Sequence, residues 1–308
     1  MSGAKGPPGE SCWGTNGTFV ILVDDRAIQA VPKPNPAHLL GAGGILPVIA
    51  KSPVPIEASS LIKSAWTEVP GGPIHYRVGD APAEELPIVL LIHGLVVAST
   101  YMVPTAEQLA PFCRVYVPDL PGYGKSYKPD KILGLSELAD ALAEWMDALG
   151  LRKAHLVGNS FGCQIIAEFA VRHSQRVDRL VLQGPTVDPT ARTLRSQFFR
   201  LLINSPREQH SMGLIMLKDY RAAGLRRIRG TIKLALQDRI EDKLPLIRAP
   251  TLVIRGEKDP VVPQSWAEKV TALLPHGALQ IIPNAGHTIN YSVPEKFAAV
   301  ILPFLSVQ

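Results

Sequence analysis

Short, mostly apolar runs recur along the chain, and segments of helical periodicity separate them. The runs lie at residues 88–92, 114–117, 154–157, 177–183, 251–254 and 279–282. Such runs are typical of strands that are buried on both faces of a parallel sheet. Helices are predicted at residues 101–109, 135–149, 266–274 and 294–305. This alternation predicts an α/β fold with a mostly parallel central sheet and helices on both of its faces.

The beginning of the chain departs from this alternation. Residues 65–69 and 74–78 flank Pro70-Gly71-Gly72-Pro73, which predicts a β-hairpin. The chain before residue 65 is rich in proline and glycine. Because each proline lacks an N–H group and restricts the residue before it, residues 1–64 are predicted to form an extended arm outside the core.

A second departure interrupts the alternation in the second half of the chain. Residues 188–244 contain amphipathic helical patterns and no convincing strand, so we predict a helical lid over the functional site. This segment is also basic. A solvated helical face would account for the charge; alternatively, Arg195, Arg221 or Arg226 holds an anionic group of a substrate. The predicted division is an arm at 1–64, core segments at 65–187 and 245–308, and a lid at 188–244.

The stretch around Ser160 combines features that a nucleophile needs. An apolar run leads into Gly158-Asn159-Ser160-Phe161-Gly162, and a segment of good helix formers follows. Glycines two residues before and after the serine allow a tight strand-to-helix turn, in which side chains would collide with the backbone. The N–H groups at the start of the helix favour a developing negative charge beside Ser160. The alternative is a glycine- and serine-containing loop with no catalytic role. Whether the chain supplies a base and a carboxylate for Ser160 decides between the two.

Two later residues supply the partners that a serine nucleophile requires. A serine hydroxyl attacks at neutral pH only when a base takes its proton and a carboxylate orients that base. His287 follows the last apolar run, and Asp259 follows the run before it. In a parallel sheet both would meet Ser160 at the carboxyl edge of the strands. The order Ser160, Asp259, His287 is expected for a nucleophile elbow in such a sheet. Asp188, which also follows a strand, is the alternative acid.

Composition excludes several classes of protein. The net charge is +5, but no basic stripe interleaved with aromatic residues suggests a nucleic-acid partner. No metal-ligand spacing of the HExxH kind occurs, so we expect no metal. Three cysteines without a CxxC pair indicate reduced thiols. We find no secretory signal and no apolar run long enough to span a bilayer, and therefore expect a cytoplasmic protein without stable membrane insertion. The oligomeric state is left open.

From about residue 65 onward the chain resembles the α/β-hydrolase superfamily. The resemblance rests on the elbow at Ser160 and on four further segments, which are His93-Gly94-Leu95, Asp119-Leu120-Pro121-Gly122-Tyr123-Gly124-Lys125-Ser126, Gly256-Glu257-Lys258-Asp259 and Gly286-His287. It implies the α/β-hydrolase fold with a catalytic triad of Ser160, His287 and Asp259. It also implies an oxyanion hole formed by the N–H groups of Leu95 and Phe161. Asp119 and His93 would have structural roles, in a turn and in bracing a loop.

The resemblance, with serine rather than aspartate as the nucleophile, implies acyl transfer to water. Our first expectation is a carboxylic ester hydrolase that acts on a small or medium substrate, with Gly94, Asn159 and Arg195 in contact with that substrate. This reaction needs no cofactor. The alternatives are cleavage of a carbon–carbon bond, as in the meta-cleavage product hydrolases, acyl transfer to an acceptor other than water, and ligand binding by a member of the same fold.

Overall fold

A mixed β-sheet forms the centre of the molecule. The computed structural model describes residues 20–21, 61–81 and 83–306, and these ranges contain nine strands. Their bounds are β1 (Val20–Ile21), β2 (Ile62–Val69), β3 (Gly72–Gly79), β4 (Ile88–Ile92), β5 (Arg114–Pro118), β6 (Ala154–Asn159), β7 (Val177–Gln183), β8 (Thr251–Gly256) and β9 (Gly277–Ile282). The spatial order is β1-β9-β8-β7-β6-β4-β5-β3-β2, and β3 pairs antiparallel with β2 and with β5, whereas the other pairs are parallel. The predicted mostly parallel sheet is confirmed.

Helices occupy the connections between the strands. Their bounds are α1 (Val103–Leu109), α2 (Leu135–Ala148), α3 (Phe161–Arg172), α4 (Leu194–Asn204), α5 (His210–Gln237), α6 (Ile240–Lys243), α7 (Gln264–Leu273), α8 (Ile289–Ser292) and α9 (Pro294–Leu305). Among the described residues, no helix is both long enough and apolar enough to cross a membrane.

The core consists of two hydrophobic layers, one on each face of the sheet. Successive residues of a strand point to opposite faces, and β4 shows this directly. Leu90 and Ile92 join the layer to which α2, α3 and α7 contribute, whereas Val89 and Leu91 join the layer of α1 and α9. All four side chains are buried. The uninterrupted apolar run of β4 therefore reflects burial on both faces, as predicted.

The predicted hairpin is present, but its first strand begins earlier than expected. Val69 lies opposite Gly72 across the turn, and the antiparallel pairing extends back to Ile62. Ile62 is buried against the layer of α1 and α9, so residues 62–64 belong to the sheet and not to the arm. Apart from β1 and Leu61, the rest of the predicted arm lies outside the described residues.

Residues 188–244, called the helical insertion below, lie between β7 and β8. They contain α4, α5 and α6 and, as predicted, no strand. The long helix α5 is interrupted at Gly224, whose φ of 77° and ψ of 156° are not helical. This positive φ favours glycine, and it divides α5 into two helical halves.

The orientation of α4 reverses the arrangement of an ordinary surface helix. The side chains of Gln197, Arg200 and Asn204 recur at helical spacing and bond to groups outside the helix, at the Ala191 carbonyl, Asp188 and the His287 N–H. Large apolar side chains of α4 are exposed instead. The periodicity correctly predicted a helix here, but the face toward the protein body is the polar one.

Candidate active site

Ser160 lies in a strained turn between β6 and α3. Its φ of 54° and ψ of −115° fall in a region that non-glycine residues rarely adopt. A Cβ on Gly158 would lie 2.7 Å from the carbonyl carbon of Gly162, and a Cβ on Gly162 would lie 2.8 Å from the carbonyl oxygen of His93. Side chains at either position would therefore displace the turn, which explains the two glycines that flank the serine at this spacing.

Two backbone segments border this turn, the start of α3 and the loop after β4. Phe161 is the first residue of α3, where an N–H group has no intrahelical acceptor. The loop after β4 lies against the turn from the other side, because a Cβ on Gly94 would be 3.7 Å from the Cβ of Ser160. Val96 has a φ of 58° and turns this loop sharply. The segments that carry the predicted oxyanion donors, Leu95 and Phe161, thus flank the region of Ser160.

His287 and Asp259 form a buried pair. His287 Nδ1 lies 2.8 Å from Asp259 Oδ2. The other carboxylate oxygen, Oδ1, accepts hydrogen bonds from the N–H groups of Val261 (2.7 Å) and Val262 (3.1 Å), which fixes the carboxylate. His287 Nδ1 must therefore donate, and Nε2 is the basic nitrogen. Nε2 is buried and makes no hydrogen bond within the described part of the chain. Burial lowers the pKa of His287, but the nearby Asp259 carboxylate outweighs it, and the pKa is raised.

The end of β7 connects the turn at Ser160 with the pair at His287. The Ser160 N–H donates to the carbonyl of Gln183 at 2.9 Å. The next residue, Gly184, lies against the imidazole, since a Cβ there would be 2.9 Å from His287 Cε1. The side-chain amide of Gln183 donates to the carbonyl of His287 at 2.6 Å. The turn at Ser160 and the pair of His287 and Asp259 thus both adjoin the end of β7, at the carboxyl edge of the sheet.

Asn159 has a structural role, which corrects its predicted contact with substrate. Its side chain is 2% exposed. The Asn159 amide nitrogen donates to Gln183 Oε1 at 2.7 Å, and Asn159 Oδ1 accepts a hydrogen bond from the Tyr101 hydroxyl. Both polar atoms of the Asn159 amide are therefore hydrogen-bonded to other buried polar groups, as buried polar atoms usually are. One signal for this network was present but unused, because Gln183 is a polar residue that ends an apolar run.

The three insertion arginines that were predicted to hold an anionic substrate group lie on the surface. This placement corrects the predicted substrate contact of Arg195. Arg195 is exposed, and its guanidinium lies over the ring of Phe199 at 5.8 Å from the centroid. Arg226 donates to the carbonyl of Asp130, and Arg221 is exposed on α5. The excess of basic residues lies mainly on the surface of the insertion.

The alternative acid, Asp188, is engaged elsewhere. It forms an ion pair with Arg200 at 2.8 Å and accepts a hydrogen bond from the Thr190 N–H at 2.9 Å. The Asp188 carboxylate therefore caps the short turn before α4, whereas the Asp259 carboxylate bonds to His287. Both partners lower the pKa of Asp188 against the opposing effect of burial.

Asp119 and His93 hold the loops around the site. Asp119 is buried and accepts hydrogen bonds from His75 Nδ1 at 2.8 Å, from the Ser99 N–H at 2.6 Å and from the Lys125 N–H at 2.9 Å. Burial would raise its pKa, but these donors lower it to about 2. His93 Nδ1 lies 3.0 Å from the Gly94 carbonyl, and His93 Nε2 accepts from the Leu120 N–H at 3.2 Å. Both ring nitrogens of His93 are thus used in bracing the loop.

Glu208, which sequence reasoning missed, connects the helical insertion to the loop of His287. Its Oε1 accepts hydrogen bonds from the N–H groups of His287 (3.1 Å) and Thr288 (3.0 Å), and its Oε2 accepts from Ser292 Oγ at 2.8 Å. Asn204 donates to the same carboxylate at 2.6 Å. No motif marks Glu208, because only the folded chain brings it beside His287. Its negative charge also raises the pKa of His287.

We predict that Glu208→Gln moves the acidic limb of the activity profile to lower pH. Glutamine retains an oxygen for the backbone N–H groups but loses the charge that raises the pKa of His287. The neutral imidazole then persists to lower pH. The measurement is kcat/KM against pH. Glu257→Gln is the matched control, since Glu257 is exposed and bonds only to the neighbouring Asn284 N–H in the described contacts. Equal acidic limbs in wild type and Glu208→Gln would contradict the prediction.

The chain belongs to the alpha/beta hydrolase family, whose model matches residues 89–300. This range includes both loops at Ser160, the whole helical insertion and the pair of His287 and Asp259. The fold agrees with that assignment, because the solved structure of an esterase aligns with 79% of the chain.

The relatives of this chain are named for the hydrolysis of different kinds of substrate. The chain is 29% identical over 259 residues to RutD of Caulobacter sp. (strain K31), named as a carbamate hydrolase, and the match covers 76% of this chain and 96% of RutD. It is 29% identical over 222 residues to the 2-hydroxy-6-oxo-6-phenylhexa-2,4-dienoate hydrolase of Burkholderia cepacia, covering 63% and 77%. A thermophilic esterase from Thermogutta terrifontis aligns with a TM-score of 0.63 and 26% identity over 79% of this chain and 98% of the esterase. These similarities support a hydrolase.

Proposed function

We propose that this hydrolase cleaves carboxylic esters through Ser160, His287 and Asp259. One observation carries the proposal. His287 Nδ1 is bound to a fixed carboxylate, while Nε2 is buried and unbonded within the described residues, beside the turn that holds Ser160. A histidine in this state can accept a proton from a hydroxyl and return it to a leaving group.

The proposed reaction has two halves that use the same residues. His287 Nε2 takes the proton of Ser160 Oγ, and Oγ attacks the ester carbonyl carbon. The N–H groups of Leu95 and Phe161 stabilise the oxyanion, and the start of α3 adds its favourable dipole. The tetrahedral intermediate then collapses, and the imidazolium gives its proton to the departing alcohol. Water, deprotonated by His287, attacks the acyl-enzyme. The second intermediate collapses, the imidazolium returns its proton to Ser160 Oγ, and the carboxylic acid is released.

The helical insertion is proposed to act as a lid over this site. Two contacts support that role. Glu208 binds the loop of His287, and Asp219 of α5 accepts a hydrogen bond from the Ala98 N–H at 3.0 Å, in the loop that follows Gly94. The insertion thus reaches both the loop of His287 and the loop after β4. Burial raises the pKa of Asp219 to about 6.

A second candidate function is hydrolysis of a carbon–carbon bond in a dienoate. The identity of 29% to the Burkholderia cepacia hydrolase favours it. A dienoate carries a carboxylate that an enzyme has to bind, and the three insertion arginines proposed for such a group are exposed or bonded elsewhere. For this reason we place a neutral ester first.

The direct test compares both substrate classes on the wild-type protein. We expect turnover of p-nitrophenyl esters, with an optimum acyl length from a series between acetate and decanoate, and little bleaching of a coloured 2-hydroxy-6-oxo-dienoate. A fluorophosphonate probe should label Ser160, located by peptide mass spectrometry. Faster turnover of the dienoate than of every ester would favour the second candidate. Absence of both turnover and labelling would overturn the proposal.

A further inference from the structure

The apolar face of α4 is unpartnered in the described residues. Leu194, Phe198 and Leu202 are 61%, 60% and 56% exposed, although they recur at the spacing of one helical face. A helix of a soluble domain normally turns such a face to the core. Here Gln197, Arg200 and Asn204 hold the helix by its polar side, so the apolar side is directed away from the protein body. A contiguous exposed apolar surface of this kind marks an interaction site.

Helix α5 also exposes large apolar side chains. Leu214 and Leu217 on the first half of α5 are 72% and 57% exposed, and Leu225 just after the break at Gly224 is 70% exposed. An open groove also joins the two helices, where Leu194 meets Ile232, Leu236 and neighbouring side chains of α5. The residues that line this groove do not include Ser160, His287 or their partners. It is therefore distinct from the proposed ester site.

The exposed charge of the helical insertion is almost entirely positive. Within residues 188–244, all of which the structure describes, Asp242 is the only exposed acidic residue, and it is paired with Arg239 at 2.7 Å. The other acidic residues are buried or half-buried. The exposed basic residues of the insertion are Arg195, Arg207, Lys218, Arg221, Arg226, Arg229, Lys233 and Arg239.

Apolar and basic groups are interleaved on this surface. Arg229 and Lys233 line the groove beside Leu194, and the guanidinium of Arg195 lies over Phe199. Long basic side chains can lie along apolar surface while their charges reach outward. An apolar face surrounded by cationic groups is complementary to a bilayer with anionic headgroups, into whose interfacial region apolar side chains insert.

We propose that the exposed face of α4 and the adjoining face of α5 dock on the surface of an anionic lipid bilayer. Apolar side chains such as Phe198 and Leu202 enter the interface between headgroups and acyl chains. Arg229 and Lys233 contact anionic headgroups. The polar anchors of α4, from Gln197 to Asn204, keep the helix fixed to the protein during docking. This association is peripheral and is independent of the ester chemistry.

The test is sedimentation of the full-length protein with lipid vesicles. We expect binding to vesicles of phosphatidylcholine and phosphatidylglycerol in equal parts, at least about tenfold tighter than to phosphatidylcholine alone. The double variant Phe198→Ser/Leu202→Ser should weaken binding to both vesicle types by about tenfold or more, since it removes the inserting apolar groups. Arg229→Gln/Lys233→Gln should weaken binding by about tenfold on the anionic vesicles only, and added salt should reproduce this effect.

Leu61→Ser is the matched control. Leu61 is 49% exposed and lies directly before the edge strand β2, which four strands separate from β7, the nearer of the two strands that flank the insertion. Its replacement should leave binding unchanged. Unchanged thermal unfolding confirms that each variant folds. Wild-type protein that fails to bind anionic vesicles would overturn the proposal, as would equal losses in Leu61→Ser and Phe198→Ser/Leu202→Ser. A dimer in sedimentation velocity that Phe198→Ser/Leu202→Ser dissociates, without vesicle binding, would assign the face to a second copy instead.

Discussion

Ser160→Ala is expected to lower kcat/KM for the best p-nitrophenyl ester by about 10⁵- to 10⁶-fold. The whole covalent route depends on Ser160 Oγ, and the remaining rate comes from binding and the oxyanion donors. The fold should be retained, because the backbone bond from Ser160 to the Gln183 carbonyl does not involve the hydroxyl. The measurements are steady-state kinetics and thermal unfolding on the same preparation.

The control and the double variant separate chemistry from folding. Ser174→Ala changes an exposed serine after α3 and should leave both kcat/KM and the unfolding temperature unchanged. Ser160→Ala/His287→Ala should be no slower than Ser160→Ala, because residues that act as one unit do not contribute additively. A rate in Ser160→Ala within about tenfold of the wild-type rate would contradict catalysis by Ser160.

Asp259→Asn is expected to lower kcat by about 10⁴-fold with little loss of structure. The N–H groups of Val261 and Val262 both point at Oδ1, so the asparagine oxygen should occupy that position. The NH₂ group then faces His287 Nδ1, which can only accept. The proton of the imidazole is consequently placed on Nε2, where it cannot take the proton of Ser160. The loss should appear in kcat across the pH range where wild type is active.

Asp188→Asn is the matched control for this variant. It changes the other carboxylate that follows a strand. Because Asp188 does not bond to His287, kcat should stay within about threefold of the wild-type value. Its ion pair with Arg200 is partly buried, so the unfolding temperature should fall. If Asp188→Asn rather than Asp259→Asn abolished turnover, the assignment of the acid would be wrong.

Local pattern was sufficient to predict the sheet and the nucleophile turn. The bounds of β4, β7 and α9 agree with the predicted runs, because each element buries an apolar face whose period is visible in the sequence. The spacing of Gly158 and Gly162 around Ser160 likewise reflects a local steric requirement. The order of Ser160, Asp259 and His287 identified residues that the fold brings to one edge.

Features that depend on contacts between distant segments were not predictable. Periodicity shows that α4 is amphipathic, but not which face meets the body, since that depends on polar partners such as Asp188 and His287. The bond between Asn159 and Tyr101, which are 58 residues apart, is another distant contact that the pattern around Ser160 does not show. Glu208 was overlooked for the same reason.

The anchoring of His287 has a consequence for how the protein folds. Its loop is held by Asp259, Glu208 and Gln183, which precede it by 28, 79 and 104 residues. Closing such long loops costs chain entropy before the contacts that repay it can form, and non-local contacts slow folding. A nascent chain that has completed the strands up to β7 therefore contains Ser160 but not its proposed base, His287. If that proposal holds, recovery of turnover during refolding reports the assembly of the whole domain.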